Sequence, residues 1–440
     1  MQNETPRADA AAATLTAPQA GDGTGLSPGY ILFIMTLVYV VNYLDRQILG
    51  ILNPQIQHEF HLTDTQVGLL GGPAFAVIYA TLGIPIAILA ERVNRRNIIA
   101  ASMALFSIMT FVSSQAGVFW QLLAARFGTG IGEAGTGPSI NSVIADLYPP
   151  QKRAGALSFY SAGLNVGLLF AFFGGGWLAE NYGWRVTLMA AGIPGLLLAL
   201  VLLFTVKEPK RGLIEKLPDT KPPSVFAVFA YLWRQRSFRW FSVGTAMSSF
   251  AGYAGINWIP AFLIHTHHLS LHFIGFALSV LTGVFGALGT YLAGVFADWG
   301  GRRDVRWNMY VPIIATFIGL PFTPIFYLAS DWHVALLAAI GPSLVGAAFV
   351  GPAYAMTQAL VPLRMRTRAA AILLFILNII GYAPAAWIIG MISDALKPFV
   401  GANSLRYALM CGMITTLFGA YCYWRAARTL KDDIARVRAG

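Results

Sequence analysis

Four charged side chains fall inside long apolar stretches of this 440-residue sequence, where charge is costly. They are Asp45, Arg46, Arg126 and Glu133. A charged side chain at the centre of a membrane helix costs roughly 2.5–3.5 kcal/mol on insertion scales. Four of them cost on the order of 10 kcal/mol, which is comparable to the net stability of a whole protein. We therefore predict that these residues do chemistry, because carboxylates exchange protons and guanidinium groups hold anions.

A buried salt-bridge cluster that only fixes helix packing is the alternative. The spacing on the first apolar stretch favours a wet cavity instead. Asn42, Asp45, Arg46 and Asn53 follow helical spacing and form one polar stripe. We predict that this stripe lines the cavity and that Asn42 is part of the wall that a solute contacts.

The depths of the other charges follow from the helical rise of 1.5 Å per residue. Asp45 and Arg126 each lie about 6–7 Å from the midpoint of their helix toward the same membrane face, so they can pair if the two helices are neighbours. Glu133 lies two turns beyond Arg126 on the same face of its helix, roughly 10 Å deeper. A cavity open alternately to each side would let both acids change protonation within a cycle. Asp45 and Glu133 are therefore the predicted proton-coupling residues.

The elements that must position these charges are transmembrane helices. The composition is 56% hydrophobic and 11% charged, against about 25% charged in a soluble domain. The apolar residues come in blocks of about 20 residues or more, the length that crosses the hydrocarbon layer as a helix. We predict an all-α integral membrane protein with these twelve spans: Gly29–Asn53, Thr65–Ala90, Asn97–Ala116, Gly117–Tyr148, Arg153–Tyr182, Arg185–Val206, Phe238–Ile264, His272–Asp298, Trp307–Leu328, Trp332–Leu360, Arg368–Leu396 and Leu405–Trp424.

The basic residues are distributed unequally between the two ends of these spans. Outside the spans, all but three of the Lys and Arg residues lie on one face, and the three exceptions are Arg185, Lys397 and Arg406. Loops on the cytoplasmic side are the basic ones. We therefore expect both termini in the cytoplasm and a location in the cell's inner (plasma) membrane. The net charge of +11 is then a topology signal, and no nucleic-acid partner is expected.

The longest polar stretch divides the spans six and six. The predicted organisation is a disordered cytoplasmic tail at 1–28, a first six-helix bundle at 29–206, a cytoplasmic linker at 207–236, a second bundle at 237–425 and a cytoplasmic tail at 426–440.

A loop pattern occurs once in each half. Ala87-x-x-x-Glu91-Arg92-x-Asn94-Arg95-Arg96 follows the second span, and Gly294-x-x-x-Asp298-x-x-Gly301-Arg302-Arg303 follows the eighth. The two acids are 207 residues apart, as are the two arginine pairs. A carboxylate at this position can form a polar contact with the end of a neighbouring helix. Such a contact can break when the two halves of the protein move relative to each other. We predict a cytoplasmic gate made of Glu91, Arg92, Arg95, Arg96, Asp298, Arg302 and Arg303; a charged loop that only anchors topology is the alternative.

Twelve spans, a central basic loop and both copies of this pattern resemble the major facilitator superfamily. The second copy fits the family pattern well, whereas the first has Ala87, Glu91 and Asn94 where Gly, Asp and Gly are usual. Glu208-Pro209-x-Arg211-Gly212 after the sixth span is also similar to the family. The resemblance implies two pseudo-symmetric six-helix bundles that work by alternating access.

Several segments resemble the spinster branch of that superfamily. They are Asn42-Tyr43-Leu44-Asp45-Arg46, Leu62-Thr63-Asp64-Thr65-Gln66-x-Gly68-Leu69-Leu70, Arg126-x-x-x-Gly130-Ile131-Gly132-Glu133-Ala134 and Ile144-Ala145-Asp146-Leu147. The resemblance implies that Asp45, Arg46, Arg126 and Glu133 act in proton coupling and substrate handling. It also implies lysophospholipid or sphingoid-lipid substrates, with Arg46 and Arg126 as ligands of the head group and an apolar wall for the tail.

Other polar and aromatic residues of the spans are candidates for the cavity wall. They are Tyr160, Asn165, Asn257, Trp258, Tyr354, Gln358, Asn378 and Tyr382. Any of these can equally be a helix-packing contact or an interface anchor.

Two further signals are discounted. Gly130-x-Gly132-x-x-Gly135 matches a dinucleotide fingerprint but follows no strand, so close helix packing is the better interpretation. A metal site at His265 and His268 is conceivable, yet interfacial histidines in a short outer loop are favoured. We expect no metal and no other cofactor.

The sequence thus predicts a proton-coupled secondary transporter of an amphiphilic or anionic organic solute that resembles a lysophospholipid or sphingoid lipid. The energy source would be the proton gradient, since no nucleotide-binding Gly-x-x-x-x-Gly-Lys-Ser/Thr run is present. Protons, the solute and membrane lipids are the expected partners of a monomer. The alternatives are a drug or organic-anion transporter, a passive channel, and a membrane enzyme acting on lipid head groups; the enzyme lacks a His-Glu-x-x-His or Gly-x-Ser-x-Gly motif.

Overall fold

The computed structural model describes residues 27–90, 92–209, 211 and 223–439, and within them every regular element is a helix. We number the membrane-crossing segments spans 1 to 12. Their bounds are Pro28–Phe60 (span 1); Asp64–Gly71 and Pro73–Ala90 (2); Arg95–Ser114 (3); Phe119–Glu133 and Thr136–Leu147 (4); Pro150–Leu169 with Phe170–Gly174, continuing into Gly175–Thr205 (5 and 6, divided at Gly183); Arg236–His267 (7); Leu271–Leu278, Ser279–Phe285 and Gly286–Gly301 (8); Trp307–Gly319 and Phe322–Leu328 (9); Trp332–Val345 and Val350–Ala359 (10); Arg366–Ile376, Leu377–Tyr382 and Ala383–Val400 (11); and Ser404–Ala439 (12).

Length and apolarity alone identify most of these crossings. Eight helical stretches of at least 18 residues are apolar enough to cross a membrane. Two of the eight, Gly155–Thr205 and Arg366–Val437, each hold two crossings, because the backbone leaves helical geometry at Gly183 and at Gly401. Spans 4 and 7 complete the twelve. Span 4 carries Arg126 and Glu133 and is interrupted after Glu133.

The spans form two bundles of six. In the first bundle, span 1 packs against spans 5 and 6, and span 3 packs against spans 4 and 6; in the second, span 7 packs against spans 11 and 12. We call the end that carries the loops at 92–94 and 302–306 the basic face, and the other end the opposite face.

The same turn connects spans 1 and 2 and spans 7 and 8, on the opposite face. His61 and His268 end their helices in the left-handed conformation, with φ of 50° and 54°. Thr63 and Ser270 then cap the next helix by accepting a backbone hydrogen bond. Both pairs are 207 residues apart. His268 therefore has a conformational role that the sequence interpretation missed.

Spans 2, 5, 8 and 11 each contain one irregularity near the middle. Span 2 breaks at Gly72, whereas spans 5, 8 and 11 contain the π-helical segments Phe170–Gly174, Ser279–Phe285 and Leu377–Tyr382. The irregularities of spans 2 and 8 begin 207 residues apart. These four spans carry most of the contact between the two bundles. Single π-helical turns commonly mark functional positions in helices.

The two bundles meet in the half of the membrane nearest the opposite face. Asn53 of span 1 donates to the carbonyl of Asn257 in span 7, and Tyr253 donates to the carbonyl of Gly71 in span 2. At the edge of the opposite face, the backbone of His272 donates to Glu180 at 2.7 Å. Every hydrogen bond described between the bundles lies in this half. Among the described residues, the structure is therefore closed at the opposite face and separated at the basic face.

Two features lie outside the crossings. The predicted linker contains a short helix, Val225–Arg234, that packs on spans 7 and 11 through Val228 and Leu232. The predicted C-terminal tail continues the helix of span 12 to Ala439. Residues 1–26 of the predicted N-terminal tail lie outside the described residues.

The C-terminal helix is tied to the loop that follows span 8. The Asp304 carboxylate lies 2.8 Å from the guanidinium of Arg306 and 2.9 Å from Lys431 Nζ. Hydrogen bonds from Arg306 and then Lys431 hold the pKa of the Asp304 carboxyl well below its usual range.

Candidate functional site

The centre of the first bundle contains an ion pair between Arg46 of span 1 and Glu133 of span 4. Their side chains are only 11% and 5% exposed. The Arg46 guanidinium also lies over three rings, 4.7 Å from the centroid of Tyr79, 4.8 Å from Phe75 and 5.3 Å from Tyr43. The carboxylate and the rings together keep this cation stable away from water.

Local backbone packing fixes the position of Glu133. The helix Phe119–Glu133 ends there and a second helix begins at Thr136. Gly132 leaves no room for a Cβ, which would lie 2.5 Å from the backbone nitrogen of Phe106 in span 3. The glycines of this segment therefore serve close helix packing, as the sequence interpretation expects.

Asp45 is buried on the same helix as Arg46 but has a different partner. Its carboxylate accepts a hydrogen bond from the hydroxyl of Thr110 in span 3. The ion pair with Arg126 considered from the sequence is not formed among the described residues. Equal estimated depth therefore did not predict the pairing: the described ion pair of the cluster joins Arg46 to Glu133.

Arg126 is the unpaired member of the cluster. The residue is 3% exposed, and its Nε has no hydrogen-bond partner. Among the described residues, neither a carboxylate nor a carbonyl accepts a hydrogen bond from its guanidinium, which lies 5.5 Å from the centroid of Phe75. A buried cation without a partner is costly. It is the feature of the cluster best suited to an anionic ligand.

Tyrosine rings from both bundles surround the charges. Tyr39 stacks on Tyr160 at 4.4 Å and contacts Tyr43 at 4.9 Å in the first bundle. Tyr253 and Tyr382 of the second bundle lie 5.1 Å apart. Such a wall offers apolar ring faces together with hydroxyl groups that can orient a polar head.

The remaining sequence candidates divide by their contacts. Asn42 donates to Thr136 at 2.8 Å, and Trp258 donates to the carbonyl of Ala386 at 2.9 Å, so both join helices. Asn257 and Asn378 donate to carbonyls one turn earlier in their own helices. Asn165 and Tyr354 are half-buried, and Gln358 is exposed.

The first copy of the predicted gate forms a network within its own bundle. Arg95 is 2% exposed and bonds to Asp146, Glu208 and the carbonyl of Pro209. The backbone nitrogen of Arg96 donates to the Glu208 carboxylate at 3.0 Å. These contacts join spans 3 and 4 to the chain that leaves span 6.

The remaining described residues of the predicted gate are exposed. Arg92 is exposed, and Glu91 lies outside the described residues. In the second copy, Asp298, Arg302 and Arg303 are exposed, and Arg303 stacks on Trp299 at 4.7 Å. Neither copy bridges the two bundles through a described contact, which agrees with their separation at the basic face.

A polar cluster that the sequence interpretation missed joins the bundles at the opposite face. We call Asp64, Thr65, Ser393, Asp394 and Lys397 the latch. Asp394 of span 11 accepts hydrogen bonds from the backbone nitrogens of Asp64 and Thr65 at 3.1 and 2.8 Å, at the start of span 2. Asp64 accepts from Ser393 at 2.6 Å, and Lys397 Nζ lies 3.2 Å from Asp64 and 3.0 Å from Asp394.

The central cluster allows an anion to replace the Glu133 carboxylate as the partner of Arg46. A proton on Glu133 would cancel its charge and release Arg46, which then becomes available beside Arg126. Two buried guanidinium groups bind an anion strongly, because each offers directed N–H donors. Among the described residues, no three His, Cys, Asp or Glu side chains are arranged to hold a metal ion.

Comparisons with known proteins agree with this architecture. Residues 35–391 match the family model of the Major Facilitator Superfamily. The chain is 31% identical to an MFS-type efflux pump of Mycolicibacterium smegmatis, over 91% of this chain and 93% of that protein. It is 27% identical to human protein spinster homolog 1, over 90% of this chain and 81% of that protein.

A solved structure is similar over nearly the whole chain. It is the inward-facing, unoccupied form of a bacterial homolog of the human lysosomal transporter spinster, at 29% identity and a TM-score of 0.84. The match covers 92% of this chain and 98% of that one. The sequence resemblance and the predicted twelve-span fold are thereby confirmed. The chain belongs to the Major Facilitator Superfamily, is a multi-pass membrane transporter and has spinster proteins among its relatives.

Proposed function

We propose that this transporter couples proton uptake to the movement of an amphiphilic or anionic organic solute that resembles a lysophospholipid or sphingoid lipid. The observation that carries the proposal is the state of the two buried arginines. Arg46 is held by a carboxylate that a proton can neutralise, whereas Arg126 forms no hydrogen bond or ion pair with any described residue. An anionic head group is the ligand that both would share.

The proposed cycle begins with a proton on Glu133. Loss of the carboxylate charge frees Arg46, and an anion then bridges Arg46 and Arg126. The tyrosines around the cluster hold the apolar part of the solute. When the solute leaves, Arg46 attracts the ionised Glu133 again and the proton is released.

We place the basic face in the cytoplasm of a cell whose inner (plasma) membrane holds the protein, because basic loops stay on that side. The separation at the basic face then corresponds to an inward-open state. The related bacterial structure is named as inward-facing, which supports this orientation.

The solute class is supported by the kinship to spinster proteins and by the tyrosine wall. An efflux pump among the relatives favours a second candidate, export of a drug or organic anion. The same two arginines would serve that solute, and only its apolar part would differ.

Uptake into proteoliposomes under an imposed pH gradient tests the proposal. Lysophospholipid, a sphingoid lipid and a panel of organic anions are compared at equal concentration, with and without the gradient. Gradient-dependent uptake of the lipids above that of the organic anions is expected. Equal uptake with the gradient collapsed would contradict proton coupling, and preference for the organic anions would favour the second candidate.

A further inference from the structure

A band of aromatic and basic residues lies on the outer surface of spans 7 and 12, near the basic face. Phe418, Tyr421 and Trp424 follow one another along span 12 and are 46%, 43% and 41% exposed. Their rings contact in sequence, at 6.3 Å and 6.0 Å between centroids. A stripe of exposed rings at the end of a span is typical of a helix face in the membrane interface.

Two arginines continue this stripe toward the basic face. Arg425 lies 4.8 Å from the ring centroid of Trp240 in span 7 and donates to the hydroxyl of Tyr421 at 3.0 Å. Arg428 lies 3.7 Å from the ring centroid of Trp424. Each guanidinium is therefore fixed beside an aromatic ring, with much of its N–H edge left for another acceptor.

These two cations differ from Lys431 and Arg436, which follow them on the same helix. Lys431 pairs with Asp304, and Arg436 pairs with Asp433 at 2.6 Å. Among the described residues, no carboxylate pairs with Arg425 or Arg428, and this includes Asp432, one turn beyond Arg428. Between Phe418 and Val437, the two cations without a described carboxylate partner are thus the two that lie next to the exposed rings.

We propose that this band, Trp240, Tyr421, Trp424, Arg425 and Arg428, binds the head group of an anionic phospholipid from the surrounding leaflet. The phosphate would lie between the two guanidinium groups, which are neighbours at i and i+3 on one helix. The acyl chains would follow the exposed rings toward the membrane centre. Basic pockets between transmembrane helices on the cytoplasmic side bind acidic lipids in this way.

The band is separate from the central cluster, which lies between spans 1, 2, 3 and 4. A lipid held here is a bound component of the membrane surface and not the transported solute. The proposal therefore does not rest on the proposed function.

The test uses the full-length protein in detergent micelles, titrated with phosphatidylglycerol or phosphatidylcholine. Lipid binding is measured by native mass spectrometry and by the thermal unfolding midpoint. Phosphatidylglycerol is expected to bind and to raise the midpoint more than phosphatidylcholine does. Loss of both charges in Arg425→Gln/Arg428→Gln is expected to weaken phosphatidylglycerol binding about 30-fold, and Arg428→Gln alone about 5-fold.

Three matched arms separate lipid binding at this band from lipid binding elsewhere on the protein. Arg436→Gln removes an equal charge from the same helix, but one already paired, and is expected to keep the affinity. Arg126→Gln is also expected to keep it, since the lipid does not occupy the central cluster. Glycerophosphoglycerol, the soluble head group, is expected not to compete at the same concentration.

Unchanged affinity in both the double variant and Arg428→Gln would overturn the proposal. Equal binding of phosphatidylcholine, loss of affinity in Arg126→Gln, or full competition by the soluble head group would do so as well. Equal binding of phosphatidylcholine would show that lipid charge does not matter. Loss of affinity in Arg126→Gln would show that the lipid lies in the central cluster, and full competition would show that the ligand is a soluble anion.

Discussion

At the scale of single residues, the central cluster shows what side-chain type can predict. The four buried charges were identifiable because ionisable groups rarely persist inside apolar helices without a role. Their pairing was not identifiable, because helix depth fixes a residue's height but not the reach of its side chain. Thr110, which binds Asp45, is an ordinary helix residue in the sequence.

Glu133 should control the pH dependence of transport. Replacing Glu133 by Gln removes the group that can take up a proton while keeping its shape, so uptake in Glu133→Gln should lose its response to an imposed pH gradient. Proteoliposome uptake measured across a pH series checks this. Glu59→Gln, which alters an acid paired with Arg185 at the opposite face, serves as the control and should respond as the unaltered protein does. Unchanged pH dependence in Glu133→Gln would exclude it as the coupling acid.

Arg126 should contribute directly to substrate affinity. A hydrogen bond to a charged group is worth about 1.5–3 kcal/mol, so Arg126→Gln should weaken binding of an anionic substrate roughly 10- to 100-fold. Tryptophan fluorescence quenching by the substrate measures the affinity. Arg126→Lys keeps the charge but lacks the planar guanidinium group, so its affinity should lie between that of Arg126→Gln and that of the unaltered protein. A Gln variant that binds as tightly as the unaltered protein would rule out contact between Arg126 and the head group.

At the scale of elements, the twelve crossings followed from apolar length, whereas their irregularities did not. Phe170–Gly174, Ser279–Phe285 and Leu377–Tyr382 lie inside predicted spans, and their single glycines and few polar residues do not distinguish a π-helical turn from an ordinary α-helix. The repeat of His61 and His268 was detectable, since His-Leu-Thr and His-Leu-Ser recur at the same offset as the gate motifs. The crowding of histidines near His268 obscured it.

The left-handed backbone conformation of His268 predicts how substitutions at this position change the thermal unfolding midpoint. A non-glycine residue in this conformation is strained by roughly 1–2 kcal/mol, and a β-branched side chain is strained further. His268→Gly should therefore keep or raise the thermal unfolding midpoint in detergent, whereas His268→Val should lower it.

His265→Val makes the same chemical change three residues earlier, where φ is negative. It should have little effect on the midpoint. Equal loss of stability at both positions, or destabilisation by His268→Gly, would show that the side chain matters more than the backbone conformation.

At the scale of the whole molecule, the described residues of the two bundles are in contact at the opposite face and separated at the basic face. The latch is the main polar contact between them, and it joins residues about 330 positions apart in the chain. No local pattern reveals such a pair, because each half of it looks like an ordinary helix end. Fold class and bundle division could thus be predicted from the sequence, whereas the conformational state could not.

The latch should favour closure of the opposite face. Lys397 lies within 3.2 Å of both Asp64 and Asp394, so its removal leaves two carboxylates facing each other. Lys397→Gln should shift the population toward opening at that face. Double electron–electron resonance between spin labels placed across the opposite face measures the shift, after Cys411 and Cys422 have been replaced.

Lys397→Arg retains the cation and should retain the closed population. The latch would have no part in closure if Lys397→Gln gave the same distance distribution as the unaltered protein.

The charges of the central cluster have a consequence for energetics. Two carboxylates and two guanidinium groups, all in the first bundle, sum to zero formal charge. Exposing the empty cluster to one side or the other therefore moves no net charge, whereas each uncompensated charge would gain or lose roughly 2.3 kcal/mol per 100 mV of membrane voltage. One proton taken up with one monovalent anion keeps the sum at zero. Such a carrier would run on the pH difference alone, and its turnover would produce no electrical current.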